Sequence, residues 1–143
     1  MPLIQHKTHI MKSLALILII SGLLAVFGCK KDKESERFKL LTTPTWTTDS
    51  LLANGVDASG PGQLLEKFKG DAKFNKDGTG YFGVYPGTWR FNSTETQLII
   101  ETDSLAIPVI TDIVELTNAS LKVTTLFVIL QNTYNIRMTF KPK

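Results

Sequence analysis

Histidine is missing from everything after residue 9, and cysteine occurs once, at position 29. The 115 residues from Cys29 to Lys143 therefore lack the parts for Ser-His-Asp or Cys-His catalysis, for a His-ligated metal and for an intrachain disulfide. No cofactor, metal or catalytic residue is expected. An excess of one charge is missing too. The whole chain carries 16 basic and 13 acidic side chains, but Lys7 and Lys12 sit in the first 28 residues, which hold no acid. Residues 29–143 carry 14 basic against 13 acidic side chains, a net charge of +1, which gives no footprint for nucleic acid. At 143 residues the chain is long enough for one domain and one core, not two.

A long apolar run occurs once. Ser13 to Phe27 (SLALILIISGLLAVF) is 15 uncharged residues preceded by Lys12 and followed by Gly28-Cys29. A spanning helix takes about 20 residues. Fifteen behind a positive residue have the dimensions of a signal-peptide core. Met11-Lys12 suffices as the charged start, so Met11 is an alternative first residue. Val26-Phe27-Gly28-Cys29 resembles the lipobox of bacterial lipoproteins. That resemblance implies acylation of the Cys29 thiol, cleavage that removes residues 1–28, and acylation of the new amine. An ordinary signal peptide with a coincidental Cys, or an uncleaved anchor, is the other reading. Several acyl chains, at roughly 0.8 kcal/mol per buried methylene, hold a protein to a membrane where one is marginal.

Lys30 to Arg37 (KKDKESER) contains no apolar side chain and reads, with Cys29, as a solvated tether over residues 29–37. Lys30 directly after the Cys resembles the outer-membrane sorting pattern of Gram-negative lipoproteins. It implies an envelope location on the periplasmic face or the cell surface.

From Phe38 onward a helical stripe is lacking and period-two alternation takes over. Lys67–Phe74 places Phe68, Gly70, Ala72 and Phe74 on one face, and Tyr134–Lys141 places Tyr134, Ile136, Met138 and Phe140 on one face. With Thr45–Leu52, Tyr81–Tyr85, Thr88–Phe91, Gln97–Glu101, Ile107–Leu116 and Leu121–Ile129, about eight strands are predicted. Turns fall at Asn75–Gly80, Pro86-Gly87, Asn92–Glu95, Thr117–Ser120 and Gln131–Thr133. Strands paired with their chain neighbours leave two edges unless the sheet closes. The expectation is an all-β, antiparallel up-and-down barrel over residues 38–143.

Phe74-Asn75-Lys76-Asp77-Gly78-Thr79, Gly87-Thr88-Trp89, Leu98-Ile99-Ile100, Ile113–Thr117 and Leu121-Lys122-Val123, in that order and spacing, resemble the small lipocalin-like domains of bacterial lipoproteins. Trp46 stands near the first strand, as a lipocalin Trp does. The resemblance covers the whole folded part. It implies a barrel that binds a small apolar ligand or an envelope protein, without naming either. A structural accessory subunit with a filled barrel and no ligand is the alternative.

Other candidate chemistry is thin. Asn75, Asp77, Thr79 and Gly80 copy the start of an EF-hand loop, but Pro86 stands where the bidentate Glu belongs. Glu101, Asp103, Asp112 and Glu115 supply carboxylates for glycoside chemistry only if two face each other across a cleft. Arg90 and Arg137 lie between apolar neighbours, so alternation sends them outward. The Asp-Ser-Leu triplets at 49–51 and 103–105 resemble an O-glycosylation acceptor.

One segment breaks the alternation. A hairpin around Thr117–Ser120 sets residue 116 opposite 121, and by counting back 110 opposite 127 and 108 opposite 129. Ala106–Ile110 and Leu126–Leu130 then carry apolar side chains on both faces. Ile107, Val109, Ile110, Leu126, Phe127, Val128 and Leu130 are the candidate ligand or partner surface, with Pro108 interrupting the ladder. The competing expectation is that Phe38–Leu41 folds over this patch.

Overall fold

The computed structural model describes residues 33–143. The signal segment, the Cys29 lipidation site and the first part of the tether lie outside them. A short helix, α1 (Glu36–Thr42), precedes nine strands: β1 (Trp46–Ala53), β2 (Val56–Asp57), β3 (Asp71–Phe74), β4 (Thr79–Phe82), β5 (Tyr85–Phe91), β6 (Gln97–Glu101), β7 (Val109–Leu116), β8 (Leu121–Ile129) and β9 (Asn132–Pro142). From β3 to β9 each strand pairs antiparallel with the next, and β1 pairs with both β3 and β9. The sheet is thus a closed eight-stranded barrel, with β2 a two-residue addition to the end of β1. Closure removes the two free edges that a meander leaves.

Alternation fills the barrel. Trp46, Leu51, Ala72, Phe74, Phe82, Trp89, Leu98, Leu121, Val123, Ile136, Met138 and Phe140 point inward and are buried. Trp89 is edge-on to both Phe74 and Phe91, with ring centroids 5.5 Å apart in each pair. Arg90 and Arg137 face out, as their neighbours require.

Strand direction assigns every loop to one of two ends. The turns after β3, β5 and β7 lie at one end with α1; the β1–β3 connection and the turns after β4, β6 and β8 lie at the other. Ser35 caps α1 by accepting from the Phe38 amide, so the folded part takes in Glu36 and Arg37. Seven residues with Phe38 and Leu41 turned inward are too short to show a stripe in an 11-residue window. The Lys73 ammonium donates to the carbonyls of Thr42, Thr43 and Pro44 at 2.8–3.0 Å, which fastens the helix end to β3. At the opposite end, the β1–β3 connection turns Ala58 and Leu65 into the core.

Boundaries differ from expectation at several places, among them the β8–β9 turn, which falls at Leu130-Gln131 and not at Gln131–Thr133. The strand predicted from Lys67 begins at Asp71, because Glu66–Phe68 is a single 3-10 turn and Gly70 sits at φ +116°. The turn expected at Pro86-Gly87 lies at Gly83-Val84, where Phe82 pairs with Tyr85. Pro86 and Gly87 are inside β5. The β5–β6 ladder starts only at Thr88, so the missing amide of Pro86 costs no bond there. Gly87 is needed because a Cβ would collide with the Glu101 carbonyl oxygen. Finally, β7 starts at Val109, leaving Ile107 and Pro108 in the preceding loop.

Candidate functional site

The barrel interior offers little room. Two voids of about 30 Å³ each are separated by Phe68, Val109 and Met138, which line both. A ligand pocket is typically 300–1,000 Å³, so these voids are of water size. Charged side chains are absent from both linings. Thr111, fully buried on β7, lines one void, and its hydroxyl has no hydrogen-bond partner among the described residues. Trp46 and Trp89 are packed core: Trp46 donates its ring N–H to the Leu41 carbonyl and Trp89 to that of Asn75, each at 3.0 Å.

The wall is less complete than the core. Leu116 pairs with Leu121 as the hairpin predicts, but an irregularity between Ile113 and Glu115 moves the register by one, giving Ile113 opposite Val123 and Asp112 opposite Thr124. The ladder stops there. The expected pairings of 110 with 127 and 108 with 129 do not form. Meanwhile β8 and β9 stay paired from Thr125–Ile136 to Ile129–Asn132. Above Asp112 and Thr124 the two strands part, and the Thr125 hydroxyl donates to the Ile110 carbonyl at 2.7 Å where they separate. Leu64, Leu65 and Phe68 close the inner side of this slot against Val109, Thr125 and Phe127.

Antiparallel alternation says which groups line the slot. Thr124 pairs with Asp112, and the Ile113 amide instead bonds Thr96 on the other side. Residues in phase with Thr124, namely Leu126 and Val128, therefore aim their amide and carbonyl groups at the slot, while Phe127 and Ile129 bond β9. The hairpin closes through Leu130 and Gln131 at φ +47° and +70°. A two-residue turn of this kind favours Asn-Gly. A Leu there is strained, and Leu130 is also 90% exposed.

The candidate surface divides accordingly. Ile107, Ile110, Leu126, Val128 and Leu130 are exposed, between 51% and 90%. Val109 is buried and Phe127 half-buried; both face inward at the void. Phe38–Leu41 does not cover the patch, because α1 sits at the other end of the barrel. The register step and the strained turn escaped sequence reading. The inward set Val109, Thr111, Ile113, Leu116 contained the first signal, since its last interval is three residues and not two.

The remaining candidates stay apart. Asp77 accepts from the Thr79 amide at 2.9 Å and its hydroxyl at 2.7 Å, so the EF-hand mimic is a hairpin turn. The Thr79 hydroxyl and amide bonds hold the Asp77 carboxyl below its ordinary pKa. Glu115 pairs with Lys122 at 2.8 Å, and that bond lowers its pKa. Asp112 accepts from Gln97, and Glu101 lies 3.9 Å from Arg90. Glu101 and Asp103 border an open outer hollow of about 500 Å³. No cluster of three or more potential metal ligands occurs among the described residues. Ser50 is half-buried in β1, whereas Ser104 is exposed in the β6–β7 loop. No helix among the described residues is long and apolar enough to cross a membrane. In comparisons with known proteins, no family model matches the chain and no curated protein matches it significantly.

Proposed function

We propose that this protein is a non-catalytic lipoprotein of the bacterial cell envelope, held at the outer membrane by acyl chains on Cys29, whose filled lipocalin-like barrel presents the β8–β9 hairpin to a protein partner. The observation that carries the reading is Leu130. It combines a strained backbone with near-complete exposure of a large apolar side chain, at the tip of a ribbon whose Leu126 and Val128 are 69% and 67% exposed. Neither backbone preference nor burial accounts for a Leu there; contact with another molecule does. The alternative of a small apolar ligand inside the barrel has less support, since the interior voids of about 30 Å³ are an order of magnitude too small. The anchor rests on the Val26–Cys29 motif.

Two measurements in the native host test the reading. Labelling with a fatty-acid analogue should mark the wild type and not Cys29→Ser. A photo-crosslinking side chain at position 130 should give one discrete product that disappears in a Leu126→Ser/Val128→Ser background. Label on the serine variant defeats the anchor; no product from position 130 defeats the partner surface.

A further inference from the structure

Resting on that reading, we propose that the slot between β7 and β8 is a strand-addition site, and that its occupant is an extended, uncharged, alternately apolar segment of another protein, hydrogen-bonded to Leu126 and Val128. Among the described residues, five of β8, Thr125–Ile129, are paired on the β9 side only. Their free edge carries main-chain donors and acceptors at Leu126 and Val128, and such an edge is a template for one more strand. Natural edges are blunted with Lys, Pro or inward charges. Thr124 to Leu130 (TTLFVIL) has none of these. The edge itself is uncharged, so a charged segment would find no complement on it.

The end at which the chain enters the barrel selects the occupant. Glu34 bonds Lys76 at 2.8–2.9 Å and the Arg37 side chain donates to the Glu95 carbonyl, so the chain enters beside the turns at the α1 end. Cys29 lies five residues before Glu34, at most about 18 Å of extended chain. With Cys29 anchored, the barrel is tethered through its α1 end. The slot then opens at the far end, about 25 Å further out for strands of nine residues tilted as barrel strands are. A lipid surface is therefore on the wrong side. A second copy in the same leaflet is wrong as well: antiparallel pairing of two β8 edges would point its anchor away from the membrane. The inner plug of Leu64, Leu65 and Phe68 keeps the incoming strand in the wall and out of the core.

The test uses the full chain as its host produces it, in detergent, with the capped peptide acetyl-Thr-Val-Thr-Val-Thr-Val-amide as probe. Residue-resolved amide exchange should slow at least tenfold at Leu126 and Val128 on adding the peptide, with Phe127 and Ile129 unchanged. Val128→Pro removes one edge donor and no β9 bond, and should weaken peptide binding at least tenfold. Should that variant unfold the hairpin, the wild-type exchange pattern decides alone. No slowing at Leu126 and Val128 at millimolar peptide overturns the proposal. So does a dimer in sedimentation whose formation protects those two amides, or protection of them by phosphatidylethanolamine vesicles added to Cys29→Ser. If the crosslink from position 130 persists while the peptide fails, strand addition falls and the partner surface stands; loss of both rejects the partner surface as well.

Discussion

The indole N–H of Trp46, the first residue of β1, donates to the Leu41 carbonyl in the last turn of α1 at 3.0 Å, and both side chains are fully buried. This bond locks the plug of the α1 end to the strand that closes the barrel against β9. Phe38 adds a second tie, its ring 5.7 Å from that of Trp89. Trp46→Phe keeps an aromatic ring, though a smaller one, and leaves the Leu41 carbonyl without its partner. It should cost about 1–3 kcal/mol in chemical denaturation. Trp89→Ala should cost about 3–5 kcal/mol.

Thr111→Val should stabilise the domain by about 1 kcal/mol. The hydroxyl is fully buried and finds no partner among the described residues, and a methyl of the same shape removes its desolvation cost. A urea midpoint that rises with unchanged slope is the expected readout.

Leu130→Asn with Gln131→Gly should raise stability by about 1–2 kcal/mol, because both positions hold positive φ that Asn and Gly adopt readily. The same change should erase the crosslink from the neighbouring hairpin positions. A gain in melting temperature together with lost contact would place the strain and the binding in the same residue.

Acid should weaken the fold below about pH 4. The Lys143 hydrogen bond lowers the Asp71 pKa, the Thr79 bonds lower that of Asp77, and the Lys122 bond lowers that of Glu115. Depressed folded-state values mean that each contribution is present above the unfolded pKa and is lost as pH falls through the folded one. Lys143 has the opposite sign: Asp71 raises its pKa above 10.5, so its contribution holds below that value and fades above it. Asp77 and Lys143 are exposed and Asp71 and Glu115 half-exposed, so the effects are small. Asp71→Asn should flatten part of the acid arm of a melting-temperature profile and leave the plateau near pH 7 little changed.

The barrel was legible because alternation is local. The inward placement of Ile136, Met138 and Phe140, the outward placement of Arg90 and Arg137, and the pairing of Leu116 with Leu121 all derive from period two and one turn. What escaped was not local. Gly83-Val84 and Pro86-Gly87 are both plausible turns, and the close approach of Gly87 to the Glu101 carbonyl, a tertiary fact, decides between them. The helix was hidden because it is only seven residues long and its contact of Phe38 with Trp89 is made to a distant strand. At the candidate surface the apolar composition was visible, but the one-residue step near Val114 moved the partners of β8. Only pairing shows that its edge is free.

Amide hydrogen exchange of the unliganded chain tests that free edge most directly. Leu126 and Val128 should exchange at rates within about tenfold of an unstructured peptide, while Phe127 and Ile129, bonded to β9, should be protected at least a hundredfold. Equal protection of all four would mean that β7 and β8 are zipped to the hairpin tip, and the account of this end of the barrel would be wrong.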